Sequence, residues 1–346
     1  RGETGRAEHL LSMAEDALTR SDLGEDSRCT AQLQVLRGRV HFTSRMDHET
    51  AEYYFHNALE LAEGRDWPLI EIDAHLGLSR LHHDQGNQQQ AVDGAERARD
   101  ILSPDSPDKL AGQVAFYYGM SLLYNGELDR AEDAFERAER HLEGEASPAL
   151  RSKVLGQWAG VMLNRGELEA ARHTLEQSID VASRHSLLRI TAQNYNLLGD
   201  CERRLEHYEQ ASECYRRAEQ GATILRAPRL FPVWLGRVQI ALEQKDYETA
   251  RRQLERAESQ TRRSVFPHFD WSKTFLALEV HAGLGNLEAV ERRIDELSSE
   301  LRQVATHSPD STESLDRSTR LLRAQNRPDL ADRVEQLAES SRLRDQ

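Results

Sequence analysis

Small residues recur along this chain with a period of about forty positions. A trio with a small residue, a large one four positions on and another small one seven positions on reads Ala51, Phe55, Ala58 and again Ala131, Phe135, Ala138. It returns as Ala91, Ala95, Ala98, as Ala171, Leu175, Ser178, as Ala211, Tyr215, Ala218 and as Ala250, Leu254, Ala257. Val290, Ile294, Leu297 is a looser copy, and the ends of the chain give Ala7, Leu11, Ala14 and Ala331, Glu335, Ala338. Spacing of four and seven puts each trio on one stripe of a helix with 3.6 residues per turn. One such stripe cannot be buried by its own helix, so the chain must stack its copies.

The prolines give the same phase. Pro68, Pro107, Pro148, Pro228, Pro267 and Pro309 each precede a trio by a similar distance, and the copy near Leu188 lacks one. Proline is accepted in the first turn of a helix, where its missing N–H has no intrahelical partner. Each unit therefore holds two helices: helix A, from the proline to a Gly/Asn turn, and helix B, which carries the trio. The expected ranges are an unpaired B helix at 4–20, seven repeats over 29–304 and a terminal capping repeat over 305–346. The pairs are 29–45 with 49–63, 69–84 with 88–102, 109–124 with 127–142, 148–164 with 167–184, 187–204 with 206–222, 228–244 with 246–262, and 268–283 with 286–304; 313–325 with 328–342 closes the array. The polar stretch 305–312 is the longest interruption. Because the first B helix lacks an A helix before it, the chain reads as a fragment of a longer protein.

These residues resemble the tetratricopeptide repeat. The trio, the helix-turn-helix unit and the loop proline carry the likeness, together with a small residue in helix A twelve positions before the first member of the trio. That phase gives Gly119, Gly199, Ser79 and Ala159, but Arg39, Val238 and Leu278 elsewhere. The family's usual repeat is about 34 residues, so this chain is similar to the longer-repeat members. HEAT-type repeats share the period and rank second, since they lack this trio. The resemblance implies an all-α, right-handed superhelical solenoid of about eight repeats plus a half repeat.

Composition excludes several functions. The net charge of −14 disfavours direct binding to nucleic acid. No apolar run is long enough to span a membrane, and there is no secretory leader pattern. Three scattered cysteines, Cys29, Cys201 and Cys214, argue for a reducing compartment rather than a disulfide framework. Arginine far outnumbers lysine, which suits a GC-rich bacterial genome, and the expected location is cytoplasmic.

The chemistry-bearing motifs of phosphate loops, nucleophile elbows and zinc proteases are absent. His82, His83 and Asp84 cluster at a helix end, but a solvated helix end explains them better than a metal. Cys201, His207 and Cys214 lack structural-zinc spacing and read as packed thiols. Asp133 with Arg137 and Glu136 with Arg140 read as i, i+4 pairs on a solvated face. The expectation is therefore no cofactor, no metal and no catalysis.

Function must then reside in the surface that stacking creates. The resemblance implies a groove lined by A helices. Its phase selects Arg80 and His83, then Gln113, Phe116, Met120 and Tyr124, then Lys153 and Asn164, and then Gln193, Asn196, Asp200, Arg203 and Arg204. Phe116, Met120 and Tyr124 suit an apolar anchor. The amides and arginines suit a peptide backbone and a carboxylate. The competing reading packs Phe116 and Met120 inside the stack and pairs the arginines with Glu202 or Glu206. Two functions stay open: a scaffold that binds a protein or peptide segment, and an effector-sensing array of a larger signalling ATPase, kinase or MalT-like activator. In the second, the partner of the groove can be another domain of the same protein.

Overall fold

The computed structural model describes residues 2–20, 27–45, 47–143, 147–224, 232–261, 267–300 and 309–342. All regular structure among these residues is helical. They form two compact units, residues 1–147 and 148–346.

In the first unit, α1 (Gly2–Thr19) is followed by α2 (Arg28–Val40), α3 (His48–Ala62), α4 (Pro68–Asp84), α5 (Gln88–Asp100), α6 (Asp108–Tyr124) and α7 (Leu128–Leu142). The helix expected over 29–45 changes character at its end: past Val40 it widens into a π-helical turn, His41–Arg45, in which Phe42 is buried. The second unit holds α8 (Pro148–Arg165), α9 (Leu168–Arg184), α10 (Leu188–Arg204), α11 (Tyr208–Ile224), α12 (Pro232–Glu243), α13 (Tyr247–Thr261), α14 (Pro267–Gly283), α15 (Leu287–Glu300), α16 (Pro309–Ala324) and α17 (Pro328–Arg342). Helix α16 begins at Pro309 rather than at 313, since proline opens a helix as readily inside a polar stretch as outside it. Pro228 lies outside the described residues, and α12 opens on Pro232 instead.

The trios form the interior. Ala51, Phe55, Ala58, Ala91, Ala95, Ala98, Ala131, Phe135 and Ala138 are fully buried in the first unit. Ala171, Leu175, Ser178, Ala211, Tyr215, Ala218, Ala250 and Ala257 are fully buried in the second, with Leu254 nearly so. The looser copy Val290, Ile294, Leu297 is buried as well. The two end copies depart from the pattern. Ala14 is exposed on α1, whose described contact with α2 is an ion pair between Glu15 and Arg37. On α17 the middle place is taken by buried Val334, while Glu335 turns outward to Arg323 at 2.8 Å.

The aromatic members of the trios wedge against A helices at glycines. A Cβ added to Gly38 would stand 2.7 Å from Cε1 of Phe55, and Gly77 lies against the same ring. Tyr215 is held likewise between Gly199 and Gly236. With no side chain at these points, the helix backbones approach to the thickness of one ring. The twelve-residue phase finds Gly199 but misses Gly38, Gly77 and Gly236, which stand thirteen or fourteen positions before a trio.

The A-to-B turns share one geometry. One or two residues past helix A the backbone is left-handed, at Gly86 (φ 82°), Gly126 (φ 83°), Gly166 (φ 80°), Glu206 (φ 62°), Lys245 (φ 60°), Gly285 (φ 68°) and Asn326 (φ 60°). The N–H of Asn87 donates to His82 O at 2.8 Å and that of Gly86 to His83 O at 3.0 Å, the pairing of a Schellman cap.

Two polar knots lie within the apolar stack of the second unit. Ser152 Oγ donates to the Ser178 carbonyl at 2.9 Å, Ser178 Oγ to the Ser152 carbonyl at 2.6 Å, and Asn194 Nδ2 to Ser178 Oγ at 2.6 Å. Nearer the C-terminus, buried Glu279 accepts from Ser314 Oγ at 2.7 Å and from Arg317 Nε at 2.6 Å.

Candidate functional site

The A-helix positions selected by phase fall in both units, and each unit presents its own set. In the first, Arg80 on α4 is the centre. Its guanidinium lies 5.0 Å from the ring centroid of Phe42 and 5.4 Å from that of Tyr117, so it joins side chains from the end of α2 and from α6. Such stacking holds a cation by the negative face of each ring. One turn on, the His83 ring stands 4.2 Å from the ring of Tyr124, and His83 Nδ1 is 3.1 Å from Gln88 Oε1. Tyr124 keeps 42% of its surface exposed, and Gln113 and Met120 are partly exposed beside it on α6.

Phe116 is placed differently. Only 4% of its surface is exposed, and its ring lies 6.3 Å from that of Phe135. The ring is part of the interior, and the accessible aromatics of this face are Tyr117 and Tyr124. Tyr117 was missed because it stands two positions before Gly119, a place the phase does not select.

In the second unit the set separates into surface and interior. Lys153, Asn164 and Gln193 are exposed, and Asn164 Nδ2 donates to the Gly160 carbonyl at 2.8 Å. Asp200 accepts from the Tyr215 hydroxyl at 2.6 Å. Arg203 is 4% exposed and pairs with Glu243 of α12, while Arg204 donates to the Leu163 carbonyl at the end of α8. Both arginines thus tie α10 to the A helices beside it, with partners other than the expected Glu202 and Glu206. Glu202 accepts instead from His207, 2.8 Å away. Asn196 stands two turns before Arg203 on the same stripe of α10; it is buried and its Oδ1 has no hydrogen-bond partner among the described residues. A buried carbonyl oxygen left in that state costs about 1–3 kcal/mol, which a donor on a ligand would recover.

The other candidates carry no site. Among the described residues no group of three or more His, Cys, Asp and Glu is placed to hold a metal. Cys201 Sγ lies 3.1 Å from the Leu168 carbonyl, buried as the packed-thiol reading expects. Among the described residues Asp133 and Arg137 make no ion pair with each other, nor do Glu136 and Arg140; Asp133 and Arg137 line one cavity instead. No helix among the described residues is long and apolar enough to cross a membrane.

Antiparallel helix pairs of about forty residues, with a small-large-small stripe on the second helix and close-packed glycines on the first, define a tetratricopeptide-type repeat protein. The MalT-like TPR region matches residues 79–342, and the chain belongs to that family. Curated protein sequences give no match to it. Among solved structures it is similar to a Rap protein complexed with competence and sporulation factor, at a TM-score of 0.75 and 16% identity over 98% of this chain and 95% of that one. The apo quorum sensor NprR from B. thuringiensis superposes at 0.66 and 12% identity, over 97% and 93% of the two chains. The Rap conjugation gene regulator of plasmid pLS20, solved with the Phr* peptide, gives 0.56 and 17% over 88% and 76%. At these identities the likeness is one of fold.

Proposed function

We propose that this chain is a peptide-receiving sensor module that binds its ligand on the A-helix face and does no chemistry on it. The observation that carries the reading is the shelf on α4 and α6, where Arg80 is held between Phe42 and Tyr117 and Tyr124 lies exposed against His83. Rigid aromatic surface beside a fixed cation offers a peptide side-chain contact and a carboxylate partner at low entropic cost. In the second unit, Gln193 and the unpartnered Oδ1 of Asn196 suit the N–H groups of an extended backbone. Two of the similar structures were solved with a bound factor or peptide, which supports the same use of this fold.

Membership of the MalT-like TPR region favours the sensing form of this reading over a passive scaffold. In that reading the peptide is an effector, from another protein or from a neighbouring domain, and meets its site in the cytoplasm. The test is a phage-displayed heptapeptide library panned against the chain, with the Arg80→Ala, Tyr124→Ala double variant as counter-selection. Enriched peptides should bind the unaltered chain and lose about tenfold or more in affinity for the variant. Absence of enrichment, or peptides that bind both proteins equally, would overturn the reading.

A further inference from the structure

On the B-helix side of the first unit, a cavity of about 310 Å³ opens between α5, α6 and α7. Its floor is apolar, from Leu102, Val114 and the alanines of α6 and α7. Its walls carry Arg99, Arg130, Arg137 and His141 against a single carboxylate, Asp133. In a chain of net charge −14 this gathers three guanidinium groups on one lining; Arg99 and Arg130 stand in ion pairs with Glu96, Asp100 and Glu127, and His141 with Asp108 at 2.9 Å.

The repeat supplies its own control. Counted forty residues back and eighty forward, Arg99 corresponds to Leu59 and Ile179, Tyr118 to Leu78 and Leu198, and Arg130 to Gln90 and Gln210. Arg137 corresponds to Arg97 and Arg217 and so belongs to the repeat. The corresponding hollow in the second unit is lined by Glu176, Asp180, Glu202, Glu209 and Glu213 with one arginine, Arg217. Arg99, Tyr118 and Arg130 are therefore particular to this cavity.

They are also mutually organised. Buried Tyr118 donates to Glu96 Oε1 at 3.1 Å and accepts from Arg130, and the Arg99 guanidinium lies 4.8 Å from its ring centroid. Arg99 reaches Asp100 through Nε and Nη2, and Arg130 reaches Glu127 and Glu96 through Nη1 and Nη2. Each guanidinium has five donors, so Nη1 of Arg99 and Nε of Arg130 are uncommitted among the described residues. Arg137 engages no carboxylate among the described residues. The result is a set of positioned cations over an apolar floor, in a volume at the lower end of small-molecule sites.

We propose that this cavity binds a small amphipathic anion, its apolar body on the floor and its carboxylate or phosphate head on Arg99, Arg130 and Arg137. It is separate from the A-helix face and does not depend on the peptide reading.

Calorimetric titration tests it with three probes: 4-phenylbutyrate, phenyl phosphate and the neutral 4-phenylbutyramide. At least one anion should bind about tenfold or more tightly than the amide, as charge-assisted pairing requires; the tighter anion identifies the head group. The Arg99→Leu, Arg130→Gln variant carries the residues found at equivalent places in other repeats and should lose that preference with its helical circular dichroism unchanged. Arg137→Gln, at an exposed position with no ion partner to lose, should weaken anion binding independently and covers the case in which the double variant fails to fold. Equal binding of anions and amide, unchanged anion affinity in Arg137→Gln, or no anion binding in the millimolar range would each overturn the proposal.

Discussion

The hydroxyl of Tyr215 donates to the carboxylate of Asp200 at 2.6 Å while the ring edge fills the space where Gly199 has no side chain. A tyrosine from helix B is thereby fixed to helix A of its own repeat at two points, one apolar and one polar. Gly199→Ala would place a methyl 2.6 Å from Tyr215 Cε1, against a ring that cannot turn away without breaking its bond to Asp200. Intrinsic propensity favours alanine over glycine in a helix by about 1 kcal/mol, yet overpacking should win and destabilise the protein by about 1–3 kcal/mol. Urea unfolding followed by circular dichroism measures the sign, and a stabilised variant would remove this contact from the account.

Arg203 and Arg204 differ in what reversal of charge would do. Arg203 is almost fully buried on Glu243, so Arg203→Glu sets two carboxylates together in the interior. Breaking a buried pair of this kind costs about 3–5 kcal/mol, and the variant should melt well below the parent. Gln193→Ala, on an exposed side chain of the same helix, should leave the melting midpoint within error and is the better probe of ligand contact. Equal midpoints for the parent and Arg203→Glu would show the pair to be dispensable.

The thiols should separate cleanly. Burial pushes Cys201 up to about 12 and Cys214 up to about 11, with the Glu202 carboxylate adding to both. Thiolate is the reactive form, so at pH 8 these two should resist a disulfide reagent while exposed Cys29 reacts. All three should titrate in guanidinium. Rapid reaction of more than one thiol in the native protein would contradict the burial.

His75 gives a pH dependence of stability. Burial, then the charges of Arg97 and His56, hold its imidazole down to about 4 from an ordinary value near 6.5. The folded state therefore binds this proton less readily than the unfolded one. Stability is full above about pH 6.5 and falls as pH drops from there toward 4, by about 1–2 kcal/mol. His75→Gln should flatten that window in urea midpoints measured from pH 4 to 7; an unchanged slope would assign it to other groups.

The period of the trios made the helix pairs legible from the letters alone, because Ala131, Phe135 and Ala138 must share a face and one face demands a neighbour. The proline phase placed most helix starts for the same local reason. What the letters concealed depends on two repeats at once. Gly77 looks like an ordinary helix residue until Phe55 of the preceding hairpin is laid on it. Glu335 stands in register with the trio, but on α17 Val334 supplies the apolar volume and frees the carboxylate to turn outward. On the A-helix face, Tyr124 is exposed and Arg80 partly so, whereas Phe116 went to the interior because Phe135 offers its ring a partner. The cation-lined cavity was hidden most completely: Arg99, Tyr118 and Arg130 come from three helices, and Arg137 read as half of an ion pair that the structure lacks.

The polar knots bear on how such a chain avoids mispairing with itself. Hairpins built on nearly the same alanine-rich stripe are close to interchangeable, and an apolar surface accepts any of them. Ser152, Ser178 and Asn194 satisfy one another through bonds that no other hairpin offers in the same arrangement among the described residues. A hairpin docked one place out of order would bury these groups without partners, at about 1–3 kcal/mol for each group left unpaired. The knot works as an address: it adds little to the strength of the stack, but it marks which neighbour belongs where.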